Sequence, residues 1–382
     1  MRTALEAPRL ASLDAFRGFA IASMVLVNNP GDWSRIHAPL RHAEWNGWTF
    51  TDTVFPFFLF VAGVSMAISV ARRRAAGDAE GRMLADLARR AAVIFAVGLA
   101  LNFIPEFSLA TVRIPGVLQR IALCILVAAP FVVLGGARAV AAGIVALFVA
   151  YTVPMLAVAV PSASMPAAAG ALEPGRDFGA WIDRQVFGPH LWAQSRTWDP
   201  EGLVSTLPAA ATLLLGVLAG WWLQQPRSAA GKARGLAFAG AVALAAGLVL
   251  HRFLMPINKN LWTPSYAVFM AGLASLALAG FYALMDAAGE KVRERARRLA
   301  APLTLFGMNA LFLFAFSGLV ARLLGAVRVG EQHVTLKSWL YAPFRASPLS
   351  PENASLAWAI AFSLAMLVVA WTMWRRRWFI KA

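Results

Sequence analysis

Residues 52–71 read DTVFPFFLFVAGVSMAISVA. After Asp52 this run has no charged side chain and is long enough to cross a bilayer as a helix, which takes about 20 predominantly apolar residues. The same pattern recurs along the chain. Ten candidate spans can be read at roughly 13–29, 52–71, 86–105, 116–134, 138–160, 203–223, 234–254, 263–285, 300–323 and 354–374. Of the 382 residues 59% are hydrophobic and 14% charged, and the mean hydropathy is +0.63. Soluble domains carry about 25% charged residues. The expected fold is therefore all-α: a polytopic integral membrane helix bundle in the lipid bilayer, one transmembrane domain over 1–382, with outer loops at 30–51, 161–202 and 324–353.

A net charge of +16 suggests nucleic acid in a soluble protein. Here Lys and Arg flank apolar runs, as topology requires, so no nucleic-acid partner is expected. With both termini placed in the cytoplasm, the inner segments collect 22 of the 35 Lys and Arg residues. That bias fits an even number of spans and puts residues 30–51 outside. The N-terminal stretch is read as a retained cytoplasmic tail, without the small-residue cleavage site of a signal peptide. The single cysteine, Cys124, lies within an apolar run and leaves no disulfide framework.

Ionisable and amide groups within or beside spans face cavities or partners. In the first span Arg17 and Asn28 are eleven residues apart. Eleven steps of about 100° return nearly to the same face with a rise of about 16 Å, so one stripe carries a cation near the inner end and an amide near the outer end. His42, Glu44 and Trp45 gather just before the apolar run 52–71, with Asp52 at its start. A carboxylate at a helix N-terminus is a plain cap; it is also the group that orients a histidine base. A turn through Asn46-Gly47 would bring the two together. Arg120, which keeps its proton in proteins, needs a counter-charge. Asn258, Lys259 and Trp262 cluster in one connection, and Asn309 lies inside the ninth span. Together they suggest a polar cavity lined by several helices. No HExxH, cysteine pair or histidine cluster points to a metal.

Six blocks carry a resemblance: LDAFRGFAIASMVLVNN (13–29), HAEWNGWTFTDTVFPFFLFVAGVSM (42–66), VRIPGVLQRIALC (112–124), DPEGLVSTLPA (199–209), PINKNLWTPSY (256–266) and FGMNAL (306–311). In this order they resemble the membrane-bound heparan-α-glucosaminide N-acetyltransferases and their bacterial relatives. The resemblance implies an acetyl-CoA-dependent N- or O-acetyltransferase. It would carry acetyl from cytosolic acetyl-CoA to an amino sugar or related glycan acceptor on the far side of a membrane. It implies catalytic roles for His42, Asp52 and Asn28. Arg17, and more weakly Arg120 and Lys259, would meet the coenzyme. Glu44, Trp45, Asn258, Trp262 and Asn309 are candidates for substrate binding. Glu44 stands where the animal members have a small hydroxyl residue. The family also suggests a homodimer, and the layout a bacterial inner membrane. The competing reading from a different class is a transporter for a polar solute, since transporters also place polar residues at broken helices near the midplane.

Overall fold

The computed structural model describes residues 10–161 and 168–380. The N-terminal tail, part of the 161–202 loop and Lys381 fall outside the described residues. Fourteen α-helices are present among those described. Ten of the helical units coincide with the ten apolar segments: α1 (Ala11–Val27), α2 (Phe50–Ala75), α3 (Glu80–Phe103), α4 (Val117–Val133), α5 (Ala137–Ala157), then, beyond the short outer helix α6 (Phe178–Phe187), α7 (Thr206–Gln224), α8 (Ala229–Phe253) and α9 (Pro264–Tyr282). A short basic helix α10 (Glu290–Leu299) follows. The ninth apolar segment is split into α11 (Ala301–Met308) and α12 (Ala310–Ala326), and α13 (Leu336–Arg345) precedes the last, α14 (Pro351–Arg375). Two antiparallel ladders of two residues each, Ala159–Val160 with Ala168–Ala169 and Arg328–Val329 with Val334–Thr335, are the strands among these residues.

The chain is an integral membrane protein. Among the described residues six helices are long and apolar enough to cross a membrane: α2, α5, α7, α8, α9 with its π-helical extension, and α14. The α11–α12 pair would make a seventh, although it bends by 85°. The ten-span expectation is thus met in helix positions but not in length and polarity for all of them. α1 and α4 have 17 residues each, and α3 begins with a charged turn and carries Arg89 and Arg90.

Small residues set the packing. A Cβ added at Gly63 on α2 would collide with the Leu213 carbonyl on α7, and one at Gly216 on α7 with the Phe60 carbonyl on α2. Gly18 on α1 and Gly307 on α11 stand in the same relation to Leu303 and Asp14. Such sites let membrane helices approach at backbone distance. Around these contacts one apolar core runs through α1, α2, α4, α7 and α9. On the periphery, Val145, Val149 and Val153 of α5 and Phe238, Val242 and Val249 of α8 are exposed. They form apolar stripes of the kind lipid covers.

Candidate active site

The second helix begins with Asp52 at its third position, and three donors converge on that carboxylate. Oδ2 accepts the Thr49 and Ala43 amides at 3.0 Å each, and Oδ1 meets His42 Nδ1 at 2.6 Å. An ionised carboxylate can only accept, so Nδ1 carries a proton, and in the neutral ring Nε2 is left with the lone pair. Asp52 is 2% exposed, whereas the His42 side chain is 47% exposed. A buried anion therefore aims an accessible base.

The loop that delivers His42 is folded back over the start of α2. Thr51 Oγ1 donates to the Leu40 carbonyl (2.7 Å) and Thr49 Oγ1 to that of Arg41 (2.5 Å). Gly47, at φ +96°, makes the tight turn and donates its amide to the Ile257 carbonyl at 2.7 Å. Glycine is the residue that adopts this φ without strain.

His42 and Asp52 line a cavity of about 440 Å³ together with Asn28, Glu44, Arg113, Trp192, Trp198, Glu201, Lys259 and Asn260. A second cavity, of about 350 Å³, is lined by Arg17, Ser65, Ser69, Arg73, Arg90 and apolar residues of α2, α4, α11 and α12. The stripe on α1 thus has one end in each cavity. The two approach closely. Val54 and Phe55 face the first and Phe58 the second; Val117 faces the first and Ile121 the second. One helical turn, about 5.4 Å, separates each pair.

In the cavity of His42, Arg113 is gripped twice. Its Nε and Nη2 donate to Asp199 at 2.8 and 2.5 Å, and Nη2 also to Glu201 at 2.6 Å. Burial acts against the Arg113 charge, but the two carboxylates prevail and raise its pKa further above the ordinary arginine value. Burial pushes Glu201 up, yet the charges of Arg113, Lys259 and Arg120 hold it below the usual carboxylate range. Behind this cluster, burial together with the nearby Asp199 charge pushes the Asp183 carboxyl up to about 7, against the Leu203 amide and Arg120. Trp198 packs edge-on between Trp45 and Trp192, with centroids at 5.1 and 5.3 Å.

In the second cavity Arg17 donates to Asp14 (3.2 Å), the Gly307 carbonyl (3.1 Å) and Ser65 Oγ (3.0 Å). Arg73 is paired with Asp78 and Asp86. Arg90 has no hydrogen bond or ion pair among the described residues.

The structure gathers His42, Asp52, Asn28, Glu44 and Lys259 in one cavity and places Arg17 in the other. Five remaining candidates line neither. Arg120, 1% exposed, donates to the Gly202 carbonyl and Ser205 Oγ and lies over the Trp262 ring at 5.2 Å. Trp262 is itself fully buried, with Nε1 on Thr212 Oγ1 (3.1 Å). Asn258, fully buried, ties its loop to Asn46 (3.1 Å). Trp45 donates to the Leu172 carbonyl behind Trp198. Asn309 sits at the α11–α12 break, where its side chain bonds the Trp378 carbonyl and the Ile380 amide. Their bonded polar groups serve the protein's own backbone and loops, while Nε and Nη1 of Arg120 are buried without a hydrogen-bond partner among the described residues. The sequence reading passed over Arg113, Asp199, Glu201, Trp192 and Trp198, and Arg73 and Arg90 in the other cavity. Arg113, Asp199 and Glu201 lie inside quoted blocks, so a count of acids against bases in those blocks was the available signal.

The model of the heparan-α-glucosaminide N-acetyltransferase catalytic family matches residues 9–249. The human heparan-α-glucosaminide N-acetyltransferase is 29% identical over 335 residues, covering 74% of this chain and 50% of that protein. The mouse protein of the same name is 27% identical over 337 residues, with the same coverage. The chain therefore spans about half the length of the curated relatives it matches. It belongs to the heparan-α-glucosaminide N-acetyltransferase catalytic family.

Proposed function

We propose that the chain is a transmembrane acetyltransferase. It takes acetyl-CoA from the cavity of Arg17 and Arg90 and delivers acetyl to an amino sugar, or a related amine or alcohol, in the cavity of His42. The observation that carries this reading is the pair of cavities at the two ends of one α1 stripe, a helical turn apart on α2 and α4. The rise of about 16 Å from Arg17 to Asn28 suits an extended pantetheine arm, with its phosphates at one end and its thioester at the other. Arg90, a cation without a hydrogen bond or ion pair among the described residues, fits the phosphates. The excess of Lys and Arg in the inner segments supports a cytoplasmic side for the Arg17 cavity and both termini, and the same reading takes ten membrane-embedded helical units and a bacterial inner membrane. Homodimerisation belongs to the same reading.

The residues act in sequence. Asp52 holds His42 with Nε2 free, and His42 takes a proton from the acceptor as its nitrogen or oxygen attacks the thioester carbon. Asn28 donates to the carbonyl oxygen as negative charge grows there. The tetrahedral centre collapses, the C–S bond breaks, and the coenzyme leaves. Trp192 and Trp198 offer flat apolar faces for a sugar ring, and Glu44 an anion for an ammonium group.

The test is CoA release from acetyl-CoA by purified protein with a panel of hexosamines. Wild type is expected to turn over, and His42→Ala to lose on the order of 10²–10⁴-fold in kcat while still binding CoA. Failure of both proteins to bind acetyl-CoA, with solute uptake by wild-type vesicles, would turn the assignment to a transporter.

A further inference from the structure

Two cations line the cavity of His42, and they differ in state. Arg113 is held by Asp199 and Glu201. Lys259, half-buried, has no hydrogen bond or ion pair from its side chain among the described residues. Yet its mount is well built. The neighbouring Asn258 is fully buried. Its Nδ2 donates to Asn46 Oδ1 (3.1 Å), its Oδ1 accepts the Leu261 amide (2.9 Å), and its own amide reaches Thr263 Oγ1 (3.1 Å). The Gly47 amide on the Ile257 carbonyl closes the same junction. The loop that carries Lys259 is thereby latched to the loop that carries His42, so ammonium and imidazole are held in one cavity. A partly desolvated charge is costly unless something pairs with it. Glu201 and Asp52 feel the ammonium's charge across the cavity, but among the described residues no carboxylate pairs with it, and a fixed mount of this kind suits a negative charge brought by the reactants.

Three charges change during transfer. His42 takes the acceptor proton, Asn28 faces the carbonyl oxygen, and the third change is the electron pair left on sulfur. We infer that Lys259 is the proton donor to the departing coenzyme thiolate. This rests on the acetyltransferase reading above. The balance is simple. The lone pair of the neutral acceptor amine forms the C–N bond, and its proton passes to His42 Nε2. The C–S pair passes to sulfur, which takes a proton from Lys259 Nζ and leaves as the thiol. The imidazolium and the neutral lysine amine then exchange one proton through the solvent of the open cavity. Arg113 cannot do this, because a guanidinium does not give up its proton in a protein.

The test uses the full chain, glucosamine as acceptor and two donors: acetyl-CoA, and 4-nitrothiophenyl acetate, whose aryl thiolate leaves without a proton. With acetyl-CoA, Lys259→Met is expected to lower kcat on the order of 10²-fold with little change in KM, and Lys259→Arg to stay low. With the aryl thioester the loss shrinks to a few-fold, while His42→Ala remains impaired with both donors. Melting curves and CoA binding of the two lysine variants report folding. Wild-type kcat in Lys259→Met, equal losses with both donors, or recovery in Lys259→Arg would each overturn the proton-donor role and leave the acetyltransferase standing. Absence of CoA release by wild type with any amine sinks the reading beneath it as well.

Discussion

At the scale of single residues, Asp52 serves two roles that the sequence offers as alternatives. One oxygen accepts the Thr49 and Ala43 amides and fixes the loop; the other holds the imidazole. Asp52→Asn replaces one of these acceptors with an NH₂ donor, so either the loop amides or the His42 tautomer loses its partner. The expected outcome is a kcat lowered on the order of 10²–10⁴-fold, together with a lower melting temperature, read by CoA release and by thermal denaturation. Asp183 gives a prediction of the opposite kind. Its carboxyl is pushed up from 3.8 to about 7, first by burial and then by Asp199. Between those values the folded state holds a proton that the unfolded state has released, so stability falls as pH rises through this window. Asp183→Asn keeps an oxygen for the Leu203 amide and removes the titration. Melting temperatures measured from pH 4 to 8 should therefore decline less in the variant, with its advantage over wild type largest at pH 7 and above. A parallel decline in both proteins would refute the assignment.

At the scale of elements, α2 is the central member. Its start carries Asp52, its second turn forms the partition between the cavities, and its middle meets α7 through Gly63 and Gly216. Alanine at Gly216 places a methyl against the Phe60 carbonyl, and backbone there cannot rotate away as a side chain would. Gly216→Ala and Gly63→Ala should each lower the melting temperature in detergent by several degrees, and the double variant by less than the two together, because both act on one contact. Strictly additive losses would show that the two sites are independent. The α11–α12 break belongs to this scale too. Residues 300–323 read as one apolar helix because nothing local stops it. The bend instead accompanies bonds from Asn309 to Trp378 and Ile380, about seventy residues on, and no window along the chain contains that pairing.

At the scale of the whole molecule, the two cavities sit at opposite ends of α2. Asp52 and Ser69 are 17 residues apart, about 26 Å along a helix, which approaches the thickness of a bilayer core. Cysteines introduced at Glu44 and at Ser69 should therefore react with an impermeant maleimide from opposite faces of sealed vesicles. The native Cys124 is buried and adds little background. Labelling of both positions from one face would rule out transfer across the membrane. By itself the sequence determined the membrane class, the positions of ten helical segments and the meeting of His42 with Asp52. Each of these follows from local quantities: apolar run length, helical repeat, and a short loop that ends on a helix cap. Only the tertiary structure decided which polar residues face a cavity. Asn258, Trp262 and Asn309 are polar like Lys259, but each is bonded to backbone or side chains of the protein itself, and Arg120 is buried with its Nη2 on Gly202 and Ser205 and its face over Trp262. The partners of Arg113 lie more than eighty residues away. Whether a buried polar group is free or satisfied depends on long-range packing, which no local pattern records.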